Sequence, residues 1–200
     1  GAGAIVGCSN CLTLGGTGQN AVNVGIGTST PSSLLTLQTS DTYNTKPFIT
    51  FADSAGTPTL EMRTGTSSTF SLFIGNNSGI ANTGTSNVGL GDSALFSIGS
   101  GGWNTALGNS ALTSNTTGTG NTAVGYNSAA NNTSGTGGVA IGYYAARGTG
   151  GAYSARNYTI VGTSAGINLQ SGGDNNTFFG YQAGSQVTSG FGNILVGPSV

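Results

Sequence analysis

The sequence predicts an all-β protein: a β-solenoid or β-roll of about 17-residue repeats with a small antiparallel β insertion. Three observations carry this fold class. A glycine following an apolar residue recurs at Gly75, Gly91, Gly108, Gly125, Gly142, Gly162, Gly180 and Gly197, in steps of 16, 17, 17, 17, 20, 18 and 17 residues. The residues around each glycine repeat a strand-like grammar. The composition, with 38 Gly and abundant Ser, Thr and Asn, offers no 3.6-residue apolar stripe for a helix.

The grammar defines one unit. Immediately before the glycine stand Ile74, Leu90, Leu107, Val124, Ile141, Val161, Phe179 and Val196. Three before it stand Val88, Thr105, Thr122, Val139, Thr159, Thr177 and Ile194. These positions share parity, so in a strand they share a face, and their branched and aromatic types suit a pleated, half-buried surface. We therefore expect them to form the apolar spine. Three after the glycine a small residue recurs, as in Ala94, Ala111, Ser128, Ala145, Ala165 and Ala183. The glycine itself is expected to provide a positive φ or a close backbone approach at the bend. One such unit cannot close a core. Units stacked edge to edge can, and seven steps at about 4.8 Å would rise roughly 35 Å.

The position two before the glycine is small in Gly89, Ala106, Ala123 and Ala140, then large in Ile160, Phe178 and Leu195. It faces away from the expected spine. Ile160, Phe178 and Leu195 are therefore expected to pack against neighbouring copies of the chain around an axis; a locally wider core within one chain is the plainer reading.

Residues 1–33 read as an N-terminal repeat-like β segment, 34–75 as a small antiparallel β unit, and 76–200 as the repeat region. Within 34–75, "LLTLQ", "KPFITFAD", "PTLEMRTG" and "TFSLFIG" read as four short strands separated by turn residues. "NVGIG" at 23–27 returns as "NVGLG" at 87–91, so the repeat type brackets the insertion.

Charge excludes several functions. Only 4% of the 200 residues are charged and the formal net charge is −1, where soluble domains carry roughly a quarter charged residues. No basic surface exists for nucleic acid. Neutral hydrogen-bonding side chains must provide solubility, which suits an extracellular, cell-surface or virion setting. No apolar run approaches the 18 or so residues of a membrane span. There is no His, which removes the commonest general base, and the carboxylates Asp41, Asp53, Glu61, Asp92 and Asp174 are scattered. An enzyme is not expected, and neither a cofactor nor a metal. Cys8 and Cys11 form one C-x-x-C, half a zinc site, and are read as structural, either free or as a disulfide, with redox chemistry or a metal shared between copies as the lesser alternatives.

The rhythm lapses once, between Gly142 and Gly162, where "YYAARGTGGAYSAR" holds Tyr143, Tyr144, Arg147, Tyr153 and Arg156. Insertions in repeats map to loops, and Tyr and Arg are favoured contact residues. These five are the candidate contact set for a surface receptor or glycan; a solvated bulge or subunit packing is the plainer reading. Residues 193–200 and 1–9 carry similar Ile-x-Val-Gly and Ile-Val-Gly forms. Their exposed strand edges are expected to continue the chain or to stack head to tail on another copy.

"NVGIGTSTPSSLLTLQ" resembles the Val-Gly-Ile-Gly-Thr-x-x-Pro element of phage tail-fibre-like and bacterial surface proteins. "NNTFFGYQAGSQVTSGFGNILVG" is similar to their Asn-Thr-Phe-x-Gly-Tyr-x-Ala-Gly repeats, and "GGVAIGYYA" resembles the head repeats of trimeric autotransporter adhesins. The resemblance implies a parallel homotrimeric β-roll or fibre shaft exposed on a cell or virion. The expected function is thus a structural subunit of an extracellular fibre or filament. The alternative is an attachment module, an adhesin or tail-fibre head that binds a receptor or glycan. An ice-binding solenoid is a lesser reading, because Val88 and Val139 interrupt the Thr105–Thr122 ladder.

Overall fold

In the computed structural model, residues 24–26, 35–37, 49–52, 58–64 and 70–200 are described. The chain divides into two compact units, Gly1–Asp41 and Thr42–Val200. In the first, β1 (Val24–Ile26) pairs in parallel with β2 (Leu35–Leu37). The sequence groups residues 35–37 with the antiparallel strands; here their partner is the "VGI" strand, in parallel.

The second unit holds a ten-stranded sheet in which every strand neighbours the next in sequence. It opens with β3 (Ile49–Ala52) and β4 (Pro58–Thr64), which pair antiparallel, and β4 pairs antiparallel with β5 (Leu72–Ile74). From β5 onward all pairing is parallel, through β6 (Val88–Leu90), β7 (Thr105–Leu107), β8 (Thr122–Val124), β9 (Val139–Ile141), β10 (Thr159–Val161), β11 (Thr177–Phe179) and β12 (Ile194–Val196). These eight strands make a β-solenoid of about seven turns, all-β and without a helix among the described residues. Each is three residues long and in unbroken register, Val88 on Thr105 on Thr122 on Val139.

The repeated glycine closes each strand into a bend. Gly108 has φ +133°, and a Cβ built on it would lie 2.6 Å from the Gly125 carbonyl oxygen of the next coil. Both the dihedral and the approach exclude a side chain. The small residue three positions on is buried, as expected, in the seven coils from Ser78 and Ala94 to Ala183.

The interior and exterior of the strand are the reverse of the sequence expectation. From β5 to β11 the central residue of each strand is the buried one, and the two flanking residues face out. Leu107 is 43% exposed and Phe179 58%, so the expected spine is an outer face. Ile160 and Phe178 are wholly buried in the chain's own core, and Leu195 packs half-buried against it. Ile160 and Phe178 thus fill their own solenoid.

Volume conservation explains the switch from small to large. The residue four after the glycine enters the core opposite the strand centre. Where the centre is Gly89 or Ala106, that residue is Leu95 or Leu112, fully buried. Where the centre is Phe73, Ile160 or Phe178, it is Gly79, Gly166 or Gly184. A Cβ on Gly184 would sit 2.5 Å from the Phe178 ring, and one on Gly166 2.8 Å from Cδ1 of Ile160. In these five coils one of the two facing positions is large and the other small, so the large side chain comes from one wall or the other.

Two coils carry alanine on both walls, Ala123 with Ala129 and Ala140 with Ala146. Tyr153 and Tyr158 are also buried here, and the Tyr153 hydroxyl donates to the Ala146 carbonyl. Tyr158 occupies the space a side chain at Gly138 would need.

Along a second wall runs a buried asparagine ladder. Oδ1 of Asn87 accepts from the backbone N (3.0 Å) and the Nδ2 (3.1 Å) of Asn104. Asn104 serves Asn121 identically, at 3.0 and 3.1 Å. Each Nδ2 also reaches a glycine carbonyl, Gly101, Gly118 or Gly135. Ser71 begins the ladder by accepting from Asn87 N, and Asn121 ends this run on Gly138 N. It resumes from Asn176 to Asn193. The amide meets the backbone donor and carbonyl that every bend leaves over, which burial would otherwise penalise.

Candidate functional site

Two surfaces of the solenoid carry side chains that the fold does not consume. The first is the outer face of the parallel sheet. One column along it reads Ile74, Leu90, Leu107, Val124, Ile141, Val161, Phe179, Val196; the other reads Leu72, Val88, Thr105, Thr122, Val139, Thr159, Thr177, Ile194. All sixteen positions are exposed or half-exposed. None is charged, and the columns run straight because the register never slips. Contiguous apolar surface of this kind marks an interaction site in soluble proteins.

The second surface follows the bend. The residue after each repeat glycine stacks directly on its counterpart, because the backbone N of the next position donates to it from the following coil. Tyr144 N donates to Tyr126 O at 3.0 Å, Ser164 N to Tyr143 O at 2.8 Å, and Gln182 N to Thr163 O at 2.9 Å. This column therefore runs Tyr126, Tyr143, Thr163, Tyr181. The Tyr126 and Tyr143 rings stack at 5.4 Å with a 16° interplanar angle, close to the coil spacing. Tyr144 tilts against both, at 5.5 and 4.2 Å, and the Arg147 guanidinium lies 4.7 Å over its ring. A hydrogen bond with Tyr143 is the first cause holding the Tyr144 hydroxyl above its ordinary pKa, while Arg147 pulls it down.

The structure thus gathers Tyr143, Tyr144 and Arg147, and adds Tyr126, which reading the long step alone missed. The signal was available, since Tyr126 precedes Tyr143 by one 17-residue step. Tyr153 does not belong to this surface: it is 1% exposed and bonded inside the core. Burial pushes its hydroxyl well above the ordinary value and pushes that of Tyr158 up to about 12, the latter against hydrogen bonds with Tyr153 and Asn132 that lower it. Arg156 is exposed elsewhere on the coil, its backbone N bonded to Asp174 Oδ1 at 2.8 Å. The lengthened step houses a core tyrosine instead of projecting a loop of five contacts.

Cys8 and Cys11 and residues 1–9 lie outside the described residues. Residues 193–200 form the β12 coil. Among the described residues no three His, Cys, Asp or Glu side chains gather as metal ligands, and no helix is long and apolar enough to cross a membrane. Comparison with protein-family models, curated proteins and solved structures yields no match.

Proposed function

We propose that this chain is a structural subunit of an extracellular fibre or filament, associating with copies of itself as a parallel homotrimer through the outer sheet face. The observation that carries this reading is the uncharged double column from Leu72 to Val196. A periodic face on a straight solenoid repeats one contact at every coil when copies lie parallel and in register, and a three-fold arrangement closes that contact without leftover face. Leu, Val, Ile and Phe supply the apolar burial, and the threonines tolerate either a partner or water. The near absence of charge fits a surface-exposed shaft, on a cell or a virion, whose stability does not depend on salt. Head-to-tail growth through residues 1–9 and 193–200 belongs to the same reading.

The attachment reading is kept for one observation, the exposed Tyr126–Tyr143–Tyr144–Arg147 cluster. Aromatic and guanidinium groups held rigidly by stacked coils are suited to contact a receptor or a glycan.

Sedimentation of the full chain tests the first reading. The wild type should sediment as a trimer or larger assembly, and the Leu107→Lys/Val124→Lys double variant as a folded monomer. A wild-type monomer at high protein concentration would rule the reading out.

A further inference from the structure

We infer that the gap between Tyr143 and Tyr181 over Thr163 is a binding slot for a single pyranose ring. This deepens the attachment reading, rests on it, and is independent of self-association.

The argument starts from the column itself. Tyr143, Thr163 and Tyr181 occupy three consecutive coils at the same position, fixed by the backbone bonds between coils, and all three side chains are exposed. One face of Tyr143 is already covered by Tyr126. On the opposite side of Tyr143 the next coil presents Thr163, whose side chain is much smaller than a tyrosine. Beyond Thr163 stands Tyr181, 55% exposed. Two coil steps separate the backbone positions that carry Tyr143 and Tyr181 by about 9.6 Å.

That spacing selects the guest. A flat aromatic ring in van der Waals contact with both walls needs about 7–8 Å, so it would touch only one. A puckered saturated ring is thicker by the spread of its axial and equatorial hydrogens, and fills the remaining 2 Å or so. The C–H-rich faces of a pyranose lie against the negative faces of both tyrosines. The Thr163 hydroxyl at the floor and the two phenol hydroxyls provide hydrogen-bonding groups for its rim. Rigid walls set by the coil stacking reduce the ordering cost of binding.

Saturation-transfer NMR on the full chain tests this with methyl β-glucopyranoside, methyl β-galactopyranoside and methyl N-acetylglucosaminide as probes. At least one should bind at millimolar concentration, with saturation reaching protons on both ring faces. Thr163→Tyr would complete the tyrosine column and fill the slot. Tyrosine already stands at this position in neighbouring coils, so the variant should keep the wild-type melting curve while binding falls at least tenfold. Tyr181→Ala should weaken binding about tenfold. Unchanged binding in Thr163→Tyr would overturn the slot. If, in addition, Tyr126→Ala/Arg147→Ala abolished that binding, the attachment reading would survive without the slot. Saturation confined to one ring face, or binding of N-acetyltyrosinamide in preference to the sugars, would also overturn it. No binding by any of the three sugars would sink both the slot and a glycan target for the attachment reading.

Discussion

Asn104 shows how much one side chain does in this coil. Its Oδ1 satisfies the buried backbone N of Asn121, and its Nδ2 reaches both Asn87 Oδ1 and the Gly118 carbonyl. Asn104→Ala should leave a buried donor and a buried acceptor unpaired and cost about 2–4 kcal/mol in urea unfolding, well above a typical surface change. The buried tyrosines make a pH-dependent contribution. An unfolded tyrosine ionises near pH 10, whereas burial holds the Tyr158 proton to about 12. The unfolded chain therefore binds fewer protons above pH 10, and stability falls as pH rises. The contribution is whole below about pH 10, is lost as pH climbs through about 12, and is of order 3 kcal/mol for Tyr158. Urea midpoints measured across this window should drop for the wild type and drop less for Tyr158→Phe. Sequence reading found the aromatic enrichment of this stretch but not which rings point inward. That depends on the empty volume opposite Ala140 and Ala146, which only the closed coil defines.

At the scale of one coil, the sequence determined strand position closely. All eight strands of the parallel series fall on the three residues before the repeat glycine, and the bend and the buried small residue follow as expected. The inverted strand faces have a physical cause. A 17-residue coil encloses a narrow core, so only the single central residue of each three-residue strand fits inside and the two flanking residues are displaced outward. The complementary pairing across the core yields a sharp test. Phe178→Ala should destabilise by about 3–5 kcal/mol through the cavity it opens. Adding Gly184→Leu, which recreates the Ala106–Leu112 arrangement, should recover at least about 1 kcal/mol, read as a coupling term in a double-mutant cycle. Leu112 accepts φ +49° at the equivalent position, so the backbone tolerates the leucine. Purely additive effects would contradict volume exchange between the two walls.

For the whole molecule, the consequence of the inversion is an uncharged strip along the seven-turn solenoid. The proposed self-association through it would be an apolar process, so the trimer expected in the sedimentation test should persist, and not loosen, in about 1 M sodium chloride. Dissociation by salt would point to the few charged residues instead. The sequence by itself determined the period, the strand registry, the all-β class and the scarcity of ionisable chemistry. These are written in local spacing and composition, which backbone geometry reads directly. Only the tertiary structure decided which face of each strand is buried, where Tyr153 and Tyr158 go, and that Tyr144 and Arg147 gather on the Tyr126–Tyr143 stack. Those outcomes depend on how wide a closed coil is and on which residues meet one rung apart, and neither quantity exists until the coil has closed.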